Sequence, residues 1–260
     1  MIKAGGIDIA PEKTCPSRRK IAFTFLSLFA LLIIIYGGSL NGAWIFDDEP
    51  NIILNKYVHL KTLDWEYLQK TFYGIDQKKI SRPVAYLTFG LNYYFGQLDT
   101  FGYHIVNLVI HFTAGIFLFL FIYRTLNLPR LKTEYGSSSY AVALLATSFW
   151  AASPVNVTAV TYIVQRMASM AGMFYIMSMY FYLLGRADEG LWKKTVFFIL
   201  SAVSAALAMG TKENSVMLPV SIYLYDLLLI QGVSRENSVR GLKIIILPAL
   251  IVASIVTIFF

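Results

Sequence analysis

Uncharged apolar runs recur along this chain, separated by short polar breaks. Residues 21–40 carry no charge and are long enough to cross a ~30 Å hydrocarbon core as a helix. Further apolar runs cover residues 101–123, 140–153, 167–184, 195–209, 216–230 and 242–260. The pattern predicts an all-α integral membrane protein with about seven transmembrane helices. The 140–153 and 195–209 runs are short, as expected of tilted helices inside a bundle. The first run is too long for the core of a signal peptide and no small-residue cleavage site follows it, so it reads as a retained span. The sequence ends inside an apolar run at Phe260, which suggests that the chain is part of a longer protein.

One large segment, residues 41–100, separates the first two runs. Within it, residues 62–72 carry acids early (Asp64, Glu66) and Lys70 late, which suits a helix dipole. Leu60, Leu63, Tyr67 and Phe72 would line one side of that helix. Residues 76–81 break the pattern. A second helix is expected from Ser81-Arg82-Pro83, with Ser81 as cap and Pro83 in the first turn. Val84, Leu87, Leu91 and Phe95 recur at helical spacing along it. Both helices are expected to lie on the membrane surface, amphipathic rather than spanning.

Composition agrees with this pattern. Of the 260 residues, 57% are hydrophobic and 14% charged, more apolar surface than a soluble domain of this length can hide. A net charge of +7 would suggest nucleic acid in a soluble protein, but its distribution argues for a bilayer instead. Lys3, Lys13, Arg18, Arg19 and Lys20 precede the first run. Arg124, Arg130 and Lys132 follow the second, Arg186, Lys193 and Lys194 follow the fourth, and Arg235, Arg240 and Lys243 precede the last. The alternate short loops hold only Arg166 and Lys212. This asymmetry places the N-terminus in the cytoplasm and the 41–100 loop on the periplasmic, extracellular or lumenal face. The single Cys15 cannot form an internal disulfide.

Three constellations carry candidate chemistry. Asp47, Asp48 and Glu49 crowd just past the first span, where carboxylates are costly near lipid. They suit a general base for an acceptor hydroxyl, or a shared divalent cation such as magnesium or manganese held by Asp47 and Asp48. The plain alternative is a solvated Asp-Asp-Glu-Pro turn. His104, Asn107 and His111 lie on one face of the second span, over about 10 Å at 1.5 Å per residue. Interhelical hydrogen bonding accounts best for His111, while a ligand or support role stays open for His104. Arg82, Arg166 and Lys212 are isolated cations near the outer boundary. They suit a lipid-linked phosphate, or simple snorkelling to headgroups. An Asn-Val-Thr sequon begins at Asn156, and Met167, Met170, Met173, Met177 and Met179 read as packing.

Five stretches, in order, resemble one family. They are Trp44-Ile-Phe-Asp-Asp-Glu-Pro-Asn-Ile52; Ser81-Arg-Pro-Val-Ala-Tyr-Leu-Thr-Phe89 with Leu91-Asn-Tyr93; Gly102-Tyr-His-Ile-Val-Asn-Leu-Val-Ile-His111; Val160-Thr-Tyr-Ile-Val-Gln-Arg166; and Lys212-Glu-Asn214 with Leu218-Pro219 and Tyr225-Asp226. They are similar to the membrane half of the transmembrane and tetratricopeptide-repeat proteins, which are type-C glycosyltransferases of the protein O-mannosyltransferase kind. The similarity spans roughly residues 20–230. Residues 1–20 read as a short cytoplasmic tail, and the resemblance implies a transmembrane transferase domain over 21–260. It also implies inverting transfer from a polyprenyl-phosphate-linked sugar to a protein or glycan hydroxyl.

The catalytic pair carried over is Asp47 and Asp48, or Asp48 and Glu49 in a second alignment. Arg82, Arg166 and Lys212 would lie toward the donor phosphate, with His104, Asn107 and Glu213 in support. The chain departs from the family at Ser153-Pro154, where many relatives have His-Pro, and the family's repeats are absent from the sequence. Two other classes remain in view. One is a non-catalytic membrane scaffold; the other is a small-solute transporter using the His104 stripe.

Overall fold

In the computed structural model, residues 16–75 and 79–247 are described. Lys3, Lys13 and Cys15, residues 76–78 of the 76–81 break and the apolar run beyond Leu247 lie outside them. The described residues form helices α1 (Arg18–Tyr36), α2 (Trp65–Thr71), α3 (Pro83–Gly96), α4 (Thr100–Leu126), α5 (Pro129–Tyr135), α6 (Ser139–Ala151), α7 (Val157–Thr161), α8 (Arg166–Ala187), α9 (Leu191–Met209), α10 (Leu218–Tyr225) and α11 (Arg235–Gly241). They contain no strand.

Five helical stretches are long and apolar enough to cross a membrane: Arg18–Ser39, Thr100–Leu126, Ile163–Ala187, Leu191–Met209 and Glu213–Gln231. A sixth is a bent pair, α6 with Pro154–Thr161, turned by 49° at its break. Pro154, which has no N–H to donate, stands at that break. The short 140–153 run is therefore the first half of a broken element. The seventh expected run begins at the π-helical turn Leu242–Ile246, and most of it lies beyond the described residues.

Helix α4 is the hub, packing on α1, α6 and α8, while α8 packs along α9. The largest core joins Ile52, Val58, Phe89, Tyr103, Ile163, Val164, Met167 and Met170, gathering the 41–100 loop, α3, α4 and α8 at one end of the bundle. Four of the five methionines are buried there or further along α8, which fits their reading as packing.

The two loop helices, α2 and α3, are too short to cross a ~30 Å core. Three details of α3 differ from expectation. Its N-cap is Arg82, in the left-handed region at φ 47°, and not Ser81. Ser81 instead donates its N–H to the Phe72 carbonyl, and the Val84 N–H is satisfied by the Gly210 carbonyl at 3.0 Å, so a side-chain cap is not needed. The buried face is Ala85, Tyr86, Phe89 and Gly90, one residue round from the expected stripe, and Phe95 is exposed. This face is turned toward α4 and α8, where it covers a buried charge. The first loop helix begins only at Trp65, so Leu60, which is buried, and Leu63, which is exposed, precede it rather than line it.

Candidate functional site

The acidic loop folds against the start of α8. Phe46 takes φ 38°, which turns the chain sharply before Asp47. Asp48 is fully buried. Its Oδ2 accepts the Ile45 N–H at 3.0 Å, tying the loop to itself. Its Oδ1 accepts the Val164 N–H at 2.8 Å, tying the loop to the break before α8. Burial pushes the Asp48 carboxyl above the usual carboxylate range, and the two N–H bonds and the neighbouring His104 pull it back.

Asp47, by contrast, is exposed. Its N–H donates to the Tyr162 hydroxyl at 2.7 Å, and its carbonyl accepts the Asn51 amide at 2.7 Å. The Tyr162 hydroxyl can also donate to the Asp47 carboxylate beside it. Asn51 is in turn held by the Tyr86 hydroxyl, which donates to its Oδ1 at 2.7 Å. Gly74, at φ 56°, lies so close to the Tyr86 ring that a Cβ would fall 2.3 Å from it, so this approach requires glycine. Glu49 is exposed and opens a π-helical turn, Glu49–Ile53.

Below the loop is a buried cation. Arg166 is 0% exposed, and no carboxylate among the described residues pairs with it. Its Nε donates to Asn107 Oδ1 at 2.7 Å, Nη1 to Asn92 Oδ1 at 2.6 Å and Nη2 to the Tyr103 carbonyl at 2.9 Å, with longer Nη1 contacts to Thr88. The Phe89 and Tyr103 rings lie 4.7 and 5.5 Å from the guanidinium carbon. Asn107 passes the connection on. Its Nδ2 is shared among the carbonyls of Val160, Tyr162 and Ile163, the unravelled turn that presents the Val164 N–H to Asp48. The Arg166 guanidinium is therefore a strut inside the protein rather than a hand held out to a donor. His104 approaches the Gly42 carbonyl through Nε2 at 3.2 Å, and its Nδ1 is buried without a partner. His111 bonds the Ala151 carbonyl at 3.1 Å, an interhelical contact as read from the sequence.

The other two cations gather at the same end. Arg82 forms a two-pronged pair with Glu213, Nε to Oε1 at 2.8 Å and Nη2 to Oε2 at 3.0 Å, and its Nη1 touches the Met167 sulfur at 3.3 Å. Met167 is three residues beyond Val164, so Asp48 and Arg82 flank one turn of helix. Lys212 precedes Glu213, is half-buried and makes no ion pair among the described residues. Arg82, Lys212 and the adjacent Asp47 and Asp48, drawn from three distant parts of the sequence, thus border one end of the bundle.

Sequence reasoning missed Tyr162, Asn51, Thr88 and Asn92. Thr88 and Asn92 are polar residues four apart on a largely apolar helix, which was a readable signal for a buried polar partner. A protein-built metal centre fits poorly. Among the described residues no group of three His, Cys, Asp or Glu gathers to hold an ion, and both Asp48 oxygens already accept N–H bonds.

These features define an all-helical integral membrane protein with a clamped carboxylate loop at one end. The chain is similar to curated protein O-mannosyl-transferases. It is 28% identical over 245 residues to TMTC4 of Mus musculus, covering 89% of this chain and 32% of that protein. It is 29% identical over 205 residues to tmtc2 of Xenopus laevis, covering 76% and 23%. It is 29% identical over 227 residues to F38B6.6 of Caenorhabditis elegans, covering 85% and 30%. The relatives support the family resemblance carried by the five stretches. The chain spans about a third or less of their length. No family model matches it, and no solved structure does.

Proposed function

We propose that this chain carries the acceptor-activating site of a membrane glycosyltransferase, moving a sugar from a polyprenyl-phosphate donor to a protein or glycan hydroxyl at the outer face. The observation that carries this reading is the division of labour in the acidic pair. Asp48 is buried and spent on the Ile45 and Val164 N–H groups, and this holds Asp47 exposed beside the Tyr162 hydroxyl. A fixed, accessible carboxylate is what a general base needs. The names of the similar proteins point to the same reaction class.

In the proposed step Asp47 takes the proton of the acceptor hydroxyl as its oxygen attacks the anomeric carbon. The new C–O bond forms as the bond to the lipid phosphate breaks, and the phosphate leaves with that electron pair. Attack opposite the leaving group inverts the anomeric centre. Lys212, and Arg82 while it exchanges partners with Glu213, are the cations available to the departing phosphate. Asp48 acts as a positioning residue, and no step is routed through a metal ion. Glu49, exposed in the following turn, is held by neither clamp, which favours Asp47/Asp48 over Asp48/Glu49 as the working pair.

The test is Asp47→Asn in the full-length protein, assayed for transfer from a polyprenyl-phosphate sugar. A loss of about 10²-fold or more is expected of a missing general base. Undiminished transfer would remove Asp47 from the role.

A further inference from the structure

At the opposite end of the bundle from Asp47 a second site opens. Arg166 and Arg186 are both on α8, twenty residues and so about 30 Å apart. Around Arg186 the helices α8, α9, α10 and α11 enclose a cavity of about 550 Å³, within the roughly 300–1,000 Å³ typical of small-molecule sites. Its walls are apolar, built from Phe198, Ala202, Ala205, Leu218, Ile222 and Ile245. It reaches from Arg186 back to Ser178, eight residues and about 12 Å along α8.

The mouth is charged. Arg186 donates to the buried Asp226 at 2.8 Å, and Gln231 donates to the same carboxylate. That pair is neutral as a unit. Lys194 and Arg240 also line the cavity, and neither makes an ion pair among the described residues. The mouth therefore keeps an excess of two positive charges above an apolar shaft. Arg18, Arg19 and Lys20 at the start of α1, and Arg124 in the last turn of α4, lie toward the same end. This places the mouth in the basic belt of a multi-pass protein, at the depth of lipid headgroups.

We infer that this cavity binds an anionic glycerophospholipid, its phosphate between Lys194 and Arg240 and an acyl chain against the apolar wall. A free phosphate would meet the same cations but leave the wall unfilled. A neutral lipid would fill the wall and leave the cations uncompensated. The site is independent of the reading of Asp47, being separated from it by the length of α8.

Native mass spectrometry of the full chain, released from detergent after titration with lipid, tests this. Dioleoylphosphatidylglycerol is expected to be retained more than tenfold over dioleoylphosphatidylcholine, which has the same tails, because each basic group near a headgroup contributes roughly fivefold. Lys194→Gln with Arg240→Gln should erase the preference. Ala205→Trp, which fills the shaft, should abolish retention of both. Each variant is checked by its thermal unfolding transition, and Ala202→Phe on the same wall replaces Ala205→Trp if that one does not fold. Equal retention of the two lipids by the wild type overturns the inference, as does retention of neither. Wild-type retention by the filled variant does so too, since the lipid then lies on the outer surface. So does competition by inorganic phosphate as strong as by the lipid.

Discussion

Helix α8 carries an arginine near each end, and the two are accommodated in different ways. Arg186 is neutralised by a carboxylate, Asp226, which is 2% exposed. Arg166 is buried more deeply and has only neutral partners, two asparagine oxygens, backbone carbonyls and two aromatic faces. A pair cancels its field, whereas a cage of dipoles leaves the charge uncancelled. The Asp48 end thus keeps a buried guanidinium with only neutral partners beneath its acidic loop. At the Arg186 end the surplus charge of the cavity lies in Lys194 and Arg240. On the two proposals, the caged arginine braces the acidic loop, while the free cations of the cavity grip a headgroup.

The largest expected effect is at Arg166. Arg166→Met leaves Asn107 Oδ1, Asn92 Oδ1 and the Tyr103 carbonyl buried without donors, and each unmet group costs about 1–3 kcal/mol. A loss of more than ~3 kcal/mol is expected in denaturant unfolding at fixed detergent. Arg166→Lys should rescue little, because one ammonium cannot reach acceptors set by a planar fork. Near wild-type stability in either variant would mean that the cage is incidental.

The Arg186 end should respond differently to a second mutation. Arg186→Met alone strands the buried Asp226 carboxylate, at a cost of about 3–5 kcal/mol for a broken buried pair. Arg186→Met with Asp226→Leu removes both charges and should recover most of that loss. No comparable rescue exists for Arg166, since some of its acceptors are backbone carbonyls. If the double variant at 186 and 226 is as unstable as the single one, the contrast between the two ends fails.

A smaller effect is expected where a pair is open to solvent. The Arg82 and Glu213 side chains are 34% and 67% exposed, so Glu213→Gln should change stability by less than about 1 kcal/mol. Its consequence for the proposed reaction is larger and opposite in sign. Freed from Glu213, Arg82 should bind the donor phosphate more tightly, seen as a lower KM for the polyprenyl-phosphate sugar. An unchanged KM would take Arg82 out of the donor site.

Much of this organisation was legible in the sequence because membranes enforce simple rules. Apolar runs marked the five spans and the first half of the bent sixth. What was not legible is who partners whom. Arg166, read as a free outer cation, is buried because α3 folds over it, and no periodicity announces that lid. Asp47 and Asp48 are adjacent and chemically alike, yet one is clamped and one exposed. The difference arises from the Val164 N–H, over a hundred residues away. The Ser81 cap was displaced by a carbonyl from Gly210, another contact that only tertiary folding supplies.

The finest test of the comparison sets the two buried acids side by side. Asp226 is held by a guanidinium, Asp48 by two N–H dipoles and no ion pair among the described residues. Burial raises the Asp48 carboxyl above the ordinary value near 3.9, so between that value and its folded one the folded chain binds more proton than the unfolded chain. Stability then falls as pH rises through this window and is level above it. Unfolding midpoints measured in steps upward from about pH 4, where the ordinary carboxyl titrates, should show this slope in the wild type and lose it in Asp48→Asn. The opposite slope, with stability rising over the same window, would mean that the Ile45 and Val164 N–H groups outweigh desolvation. Dipoles would then hold a buried carboxylate as effectively as Arg186 holds Asp226, and the distinction between the two ends would rest on Arg166 alone.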